Sequence, residues 1–196
     1  MRKSKAETAE TRRRIVATAA GLFMDQGIAA TGIAEVMEAA GLTQGGFYRH
    51  FESKEQLVAE ASEAAYERIF EALGKQVANL SPREAIGQVV HLYLYQRTVK
   101  NPDHLCPLAH LGSELPNADE RIRSVVNAGF QRMVGFLAGL AQQLKIANSM
   151  ALADAIAATM LGAVMMARVA VTEASASAVL ANAERTIDLM VQSHLQ

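Results

Sequence analysis

Apolar residues recur at helical intervals along this chain from its first turns to its last. Ile15, Ala19, Leu22 and Phe23 fall at i, i+4, i+7 and i+8, one stripe of a helix over about 8–26. Gly27 follows as a helix-ending residue. Thr31 is placed to cap a second helix over about 32–40, with Ile33, Val36, Met37 and Ala40 inward and Gly41 as its stop. Leu42 bridges a short turn, Thr43 is placed to cap a third helix, and Phe47 and Phe51 supply its apolar side. Ser53 opens a fourth helix. Gln56 stands three residues on, the spacing of a capping box, and Leu57, Ala61, Ala64, Ile69 and Leu73 continue inward.

Beyond Gly74 the periods lengthen. In "SPREAIGQVVHLYLYQRTVKN", Ser81 is a cap, Pro82 the first helical residue and Glu84 the third, predicting a helix to about Lys100. Pro107 begins a shorter helix ending near Leu115. Residues 119–145 form one amphipathic helix with Ile122, Val126, Phe130, Met133, Leu137, Leu140 and Leu144 along its inner face. Residues 149–172 are apolar on more than one side, and about 177–195 forms the last helix. No β-alternation of any length interrupts the series. The pattern predicts an all-α protein of about nine helices, with a three-helix helix–turn–helix domain over 1–53 and a larger helical domain over 54–196.

Composition supports an ordered core: of 196 residues, 51% are hydrophobic and only 4 are proline. The formal net charge of −1 says little, but its distribution says more. Residues 1–54 hold eight Lys/Arg against six Asp/Glu, and 55–196 hold eleven against fourteen. Arg2, Lys3, Lys5, Arg12, Arg13 and Arg14 crowd the first fourteen positions, a basic arm suited either to phosphates or to plain solvation. A single cysteine, Cys106, excludes an intrachain disulfide framework and suits a reducing cytoplasm. The start lacks the apolar core of a secretory signal, and the nearly apolar run 155–167 stops at Arg168, short of the ~20 residues of a membrane span. A soluble cytoplasmic protein with no membrane partner is expected.

The stretch "GLTQGGFYRHFESKEQL" (41–57) carries the first candidate chemistry. A recognition helix sets its N-terminal residues against base edges while neighbouring groups hold phosphates. Gln44 offers a bidentate amide suited to adenine. Gly45 and Gly46 cost about 1 kcal/mol each in a helix, and lacking Cβ they let the backbone sink toward a groove floor. Tyr48, Arg49 and His50 are donors for phosphate or base. Lys54 adds a positive charge at the start of the fourth helix, and Thr31 and Thr43 stand at the starts of the second and third.

The run "LFMDQGIAATGIAEVMEAAGLTQGGFYRHFESKEQL" resembles the DNA-binding domain of the TetR family of transcriptional regulators. The similarity covers about residues 12–61. It rests on Phe-x-x-x-Gly, the capping Thr, Ala-Gly-Leu-Thr, Gly, Tyr-x-His-Phe and Ser-Lys-Glu-x-Leu in order. Two positions depart from the pattern: Ile28 stands where an aromatic is usual, and Gly32 where a Thr or Ser commonly offers a hydroxyl to phosphate. The resemblance implies operator contacts from Gln44, Gly45, Gly46, Tyr48, His50 and Lys54. It also implies a helical C-terminal part that dimerises through its last two helices and binds a small ligand.

Three further constellations lie in that part. Cys106 precedes the helix begun by Pro107, where free backbone N–H groups can lower a thiol pKa; it serves equally as a small buried packing residue. His91, His104, Cys106 and His110 have metal-binding atom types but no zinc spacing, so no metal or other cofactor is expected. On the last two helices, Ala155, Thr159, Gly162 and Met166 form one small-residue stripe and Ala183, Ile187 and Met190 another, the pattern of a homodimer interface. Leu92, Tyr95, Phe130, Met133, Leu137 and Met165, with Cys106, either line a ligand pocket or fill a plain core. No acid/base pair, nucleophile dyad or phosphate loop supports an enzyme. The sequence therefore predicts a homodimeric regulator, a repressor on a pseudo-palindromic operator, released by a small molecule or an electrophile. The rival is a helical small-molecule-binding or thiol-sensing protein without operator activity.

Overall fold

The computed structural model describes residues 5–95 and 106–195. Among these residues there are eight α-helices, two short 3₁₀ helices and no strand. The helices are α1 (Lys5–Gln26), α2 (Ile33–Ala39), α3 (Lys54–Val77), α4 (Pro82–Leu94), α5 (Pro107–Leu111), α6 (Glu120–Gln143), α7 (Ser149–Val169) and α8 (Glu173–Ser193). The 3₁₀ helices are Gln44–Arg49 and Leu115–Asn117.

The chain forms two compact units: Met1–Ile69 with Leu105–Ala128, and Phe70–His104 with Gly129–Gln196. The expected boundary at 53/54 is not where they divide, because the first unit is not closed by its own N-terminal helices. Its core gathers Ile15, Phe23, Met37, Phe47, Phe51 and Leu57 with Leu111, Leu115, Ile122 and Val126 from far along the chain. Full burial of each such side chain contributes about 1.5–3 kcal/mol. The second unit buries Ile86, Val90, Met133, Leu137, Ile156, Met160, Ile187 and Val191, and α7 packs along α8 with α4 against both.

The helix ends explain most boundaries. Gly27 (φ +91°) and Gly41 (φ +70°) take left-handed conformations that strain residues bearing a Cβ, so α1 and α2 stop there. Ser81 and Glu84 form the expected capping box. At α3 the Ser53 hydroxyl accepts from Gln56 N–H (3.2 Å), but the Gln56 amide oxygen accepts from Glu52 N–H (2.7 Å), one residue outside the box. The helix expected to reach Lys100 ends at Leu94 with Tyr95 as its C-cap, and residues 96–100 lie outside the described residues. The last helix starts at Glu173 rather than Ser177, because Thr172 and Ser175 cap each other's backbone N–H groups. That Ser–Thr box lacks the Glu or Gln by which such boxes are read.

α7 also corrects the run-length argument. By length and composition its 21 residues suffice to cross a membrane: an 18-residue window within it has a mean hydropathy of 1.8, although 39% of that window is buried inside the protein.

Candidate nucleic-acid interface

Phe47 and Phe51 anchor the segment that carries the candidate DNA contacts. Both are buried, and their rings stack at 5.5 Å with 28° between planes. Gly46 N–H donates to Thr43 C=O and His50 N–H to Phe47 C=O, the i→i+3 bonds of a 3₁₀ turn. The expected third α-helix is therefore this tighter, six-residue 3₁₀ helix. Thr43 holds its N-cap position without a side-chain bond to the turn.

This anchoring leaves a polar row outside. Thr43, Gln44, Gly45, Tyr48 and Arg49 are exposed, Tyr48 at 74%, while Gly46 and His50 are half-buried. Tyr48 packs T-shaped against Phe47, with ring centroids 5.1 Å apart. Neither Gly45 nor Gly46 has a left-handed backbone. A Cβ at Gly45 would meet nothing within 4 Å, and one at Gly46 only the Met37 methyl at 3.5 Å. Nothing inside the protein demands glycine at 45.

Two expected contacts are used otherwise. Thr31 is fully buried, and its hydroxyl donates to Gly27 C=O (2.8 Å) and more weakly to Leu22 C=O (3.4 Å). Gly32, not Thr31, is the N-cap of α2, so the Thr31 hydroxyl neither caps that helix nor reaches a phosphate. Lys54 donates from Nζ to Ile28 C=O at 2.5 Å.

The basic arm is likewise partly committed. Arg12 forms a two-point ion pair with Glu60, donates to His50 C=O (3.3 Å) and lies over the Phe51 ring at 4.6 Å. It braces the recognition segment from behind, a role no spacing in the sequence reveals. Arg13 pairs with Glu10 in the open, worth at most about 1 kcal/mol and easily exchanged for a phosphate. Arg2 and Lys3 lie outside the described residues.

In the second unit, the outer face of α7 exposes Ala155, Gly162 and Met166, with Thr159 half-buried. Met165 and Val169, at 40 and 72% exposure, extend this apolar surface; Met150 at the start of α7 and Leu189 on α8 are 52% and 64% exposed. The α8 stripe is corrected: Ala183 and Ile187 are buried in their own chain, at 8% and 2% exposure, and Met190 is half-buried. A one-sided apolar stripe fits an internal neighbour as well as a partner helix.

The expected pocket residues also separate by burial. Met133 and Leu137 are core, Leu92, Tyr95 and Phe130 are half-buried, and Met165 is surface. None of them lines the groove of about 550 Å³ between α4 and α8, which is bordered by Arg83, Ile86, Val90, Ile187 and Asp188. Nearby, Tyr95 donates to Glu184 (3.1 Å), whose other oxygen meets His91 Nδ1 at 3.0 Å. Partial burial, then the Glu184 carboxylate, holds the Tyr95 phenol above its usual pKa.

Cys106, in the first unit, is 6% exposed with Sγ 3.9 Å from the Tyr66 hydroxyl. Burial, then the neighbouring Cys106, pushes the Tyr66 pKa far up, so the phenol stays protonated and donates to Val126 C=O (3.2 Å). The helix after Cys106 has only five residues, and the thiol makes no capping bond to it. Of the histidines weighed as metal ligands, His104 lies outside the described residues, and His110 Nδ1 is 3.0 Å from Cys106 C=O.

Residues 15–61 match the family model for bacterial regulatory proteins of the tetR family. AcrR of Shigella flexneri, an HTH-type transcriptional regulator, is 41% identical over 70 residues, 36% of this chain and 33% of its own. The probable acrEF/envCD operon repressor of Escherichia coli K12 is 37% identical over 59 residues, 30% of this chain and 27% of its own. The chain thus aligns with about a third or less of these curated relatives' length. A TetR transcriptional regulator from Chloroflexus aurantiacus is similar throughout: 30% identity over 95% of this chain and 96% of that one, with a TM-score of 0.81.

Proposed function

The chain belongs to the TetR family of transcriptional regulators, and we propose on that premise that it is a repressor binding a pseudo-palindromic operator as a homodimer. The observation that carries this reading is the exposed row of Thr43, Gln44, Gly45, Tyr48 and Arg49, anchored by the buried Phe47–Phe51 pair. Repression is proposed from the role of the probable acrEF/envCD operon repressor, to which 59 residues of this chain are 37% identical. Dimerisation draws on the exposed apolar face of α7. The partners are double-stranded operator DNA, a second copy of the chain and a small-molecule inducer, in the cytoplasm, with no cofactor and no catalytic activity. A mobility-shift titration with DNA upstream of its own gene tests the reading. Specific complexes should survive a large excess of random duplex and weaken steeply with salt, as phosphate contacts displace counterions. Equal competition by random duplex would overturn it.

A ligand releases the protein only through its differential affinity for the free and bound states. Release by an electrophile at Cys106 is the narrower form of this proposal. At 6% exposure the thiol suits packing more than attack. Cys106→Ser is therefore expected to bind operator and respond to inducers as the wild type does. Loss of an electrophile's effect in that variant alone would make Cys106 the sensor.

A further inference from the structure

We propose that Glu114 and Lys54 clamp the α1–α2 connection from two sides and so position the DNA-binding face. Ile28 and Ala29 N–H groups donate to the two oxygens of Glu114, at 2.8 and 2.7 Å, across 86 and 85 residues of sequence. Lys54 takes the remaining polar group of the same residue, the Ile28 carbonyl. Gly27 is shaped to this arrangement: besides its positive φ, a Cβ there would stand 2.6 Å from Glu114 Oε1. Thr31 ties the other end of the connection back to Gly27. The next element is α2, which packs directly on the recognition turn and sets Met37 beneath Gly46. A connection held at Ile28 and Ala29 therefore fixes where the exposed row stands. Charge-assisted bonds to a carboxylate are among the stronger hydrogen bonds available for this.

The clamp makes Lys54 a positioning residue where the family resemblance assigns it a phosphate. It makes Glu114 a residue whose negative charge aids binding to a polyanion. The second consequence opposes simple electrostatics, and both rest on the operator binding proposed above.

The test compares wild type, Glu114→Gln, Glu114→Asp and Lys54→Met by melting, by operator titration over a salt series, and by amide hydrogen exchange without DNA. Glu114→Gln should lower operator affinity roughly tenfold or more, although removing a negative charge would by itself tighten binding to DNA. Glu114→Asp, too short to reach both amides, should change affinity in the same direction while keeping the charge. Exchange at Ile28 and Ala29 should quicken in both variants. Lys54→Met should weaken binding with an unchanged salt slope, whereas a lost phosphate contact in each half-site would reduce that slope by about 2. Unchanged or tighter operator binding by folded Glu114→Gln, or unchanged exchange at Ile28 and Ala29, would overturn the clamp. Should the wild type itself bind no operator, the functional reading fails, and the exchange measurement still decides the clamp.

Discussion

Gly162→Glu is expected to leave the chain folded, convert it to monomer, and cut operator affinity by about 100-fold or more. Gly162 lies exposed on α7, and a Cβ there would meet nothing within 4 Å. Inside the single chain a larger side chain has room, and replacing an exposed helical glycine gains up to about 1 kcal/mol of helix propensity. Against a partner helix the outcome reverses. The stripe of Ala155, Thr159 and Gly162 permits close approach, and a glutamate forced into it would be desolvated and unpaired, at a cost of several kcal/mol. A monomer carries one recognition turn and forfeits the gain from engaging a second half-site. Sedimentation and operator titration check this together. A variant that stays dimeric with full affinity would place the interface elsewhere.

Gly45→Leu is the second large effect, and it separates folding from recognition. Gly45 is exposed and a Cβ there meets nothing within 4 Å, so a leucine has open space to enter. Loss of glycine's freedom in the unfolded chain should raise stability by about 0.4–1 kcal/mol. If the turn backbone approaches base edges, the same side chain intrudes at the contact. A bad fit at one base step costs about 1–3 kcal/mol, and a symmetric dimer meets it twice. We therefore expect an equal or higher melting temperature with operator affinity lowered tenfold to several hundredfold. Random-duplex binding should fall less, because Tyr48 and Arg49 remain exposed. Gly46→Ala should show the same opposition more mildly, since its methyl also touches Met37. Wild-type operator affinity in Gly45→Leu would reduce the glycines to a permissive entry into the turn.

What the sequence could convey divides along physical lines. Local periodicity and end signals located the eight α-helices of the described residues and identified Phe47 and Phe51 as core, because burial of one helical face depends only on residues three and four apart. They could not tell the tighter Gln44–Arg49 turn from an α-helix. Nor could they tell a capping threonine from a buried one: Thr31 stands where a cap belongs, yet its hydroxyl turns back to the end of α1. They assigned Ala183 and Ile187 to a partner because an apolar stripe does not name its neighbour. Glu114 was out of reach altogether. No pattern links a carboxylate to two amides some 85 residues away, and the core it serves is completed by equally distant Leu111 and Leu115.

The most direct measurement is a footprint of the wild-type protein on DNA upstream of its own gene. Two recognition turns on a two-fold dimer predict two protected patches of symmetry-related sequence, about 34–36 Å apart along the duplex, or a multiple of that spacing. A single patch, or protection spread evenly over any duplex offered, would contradict the account.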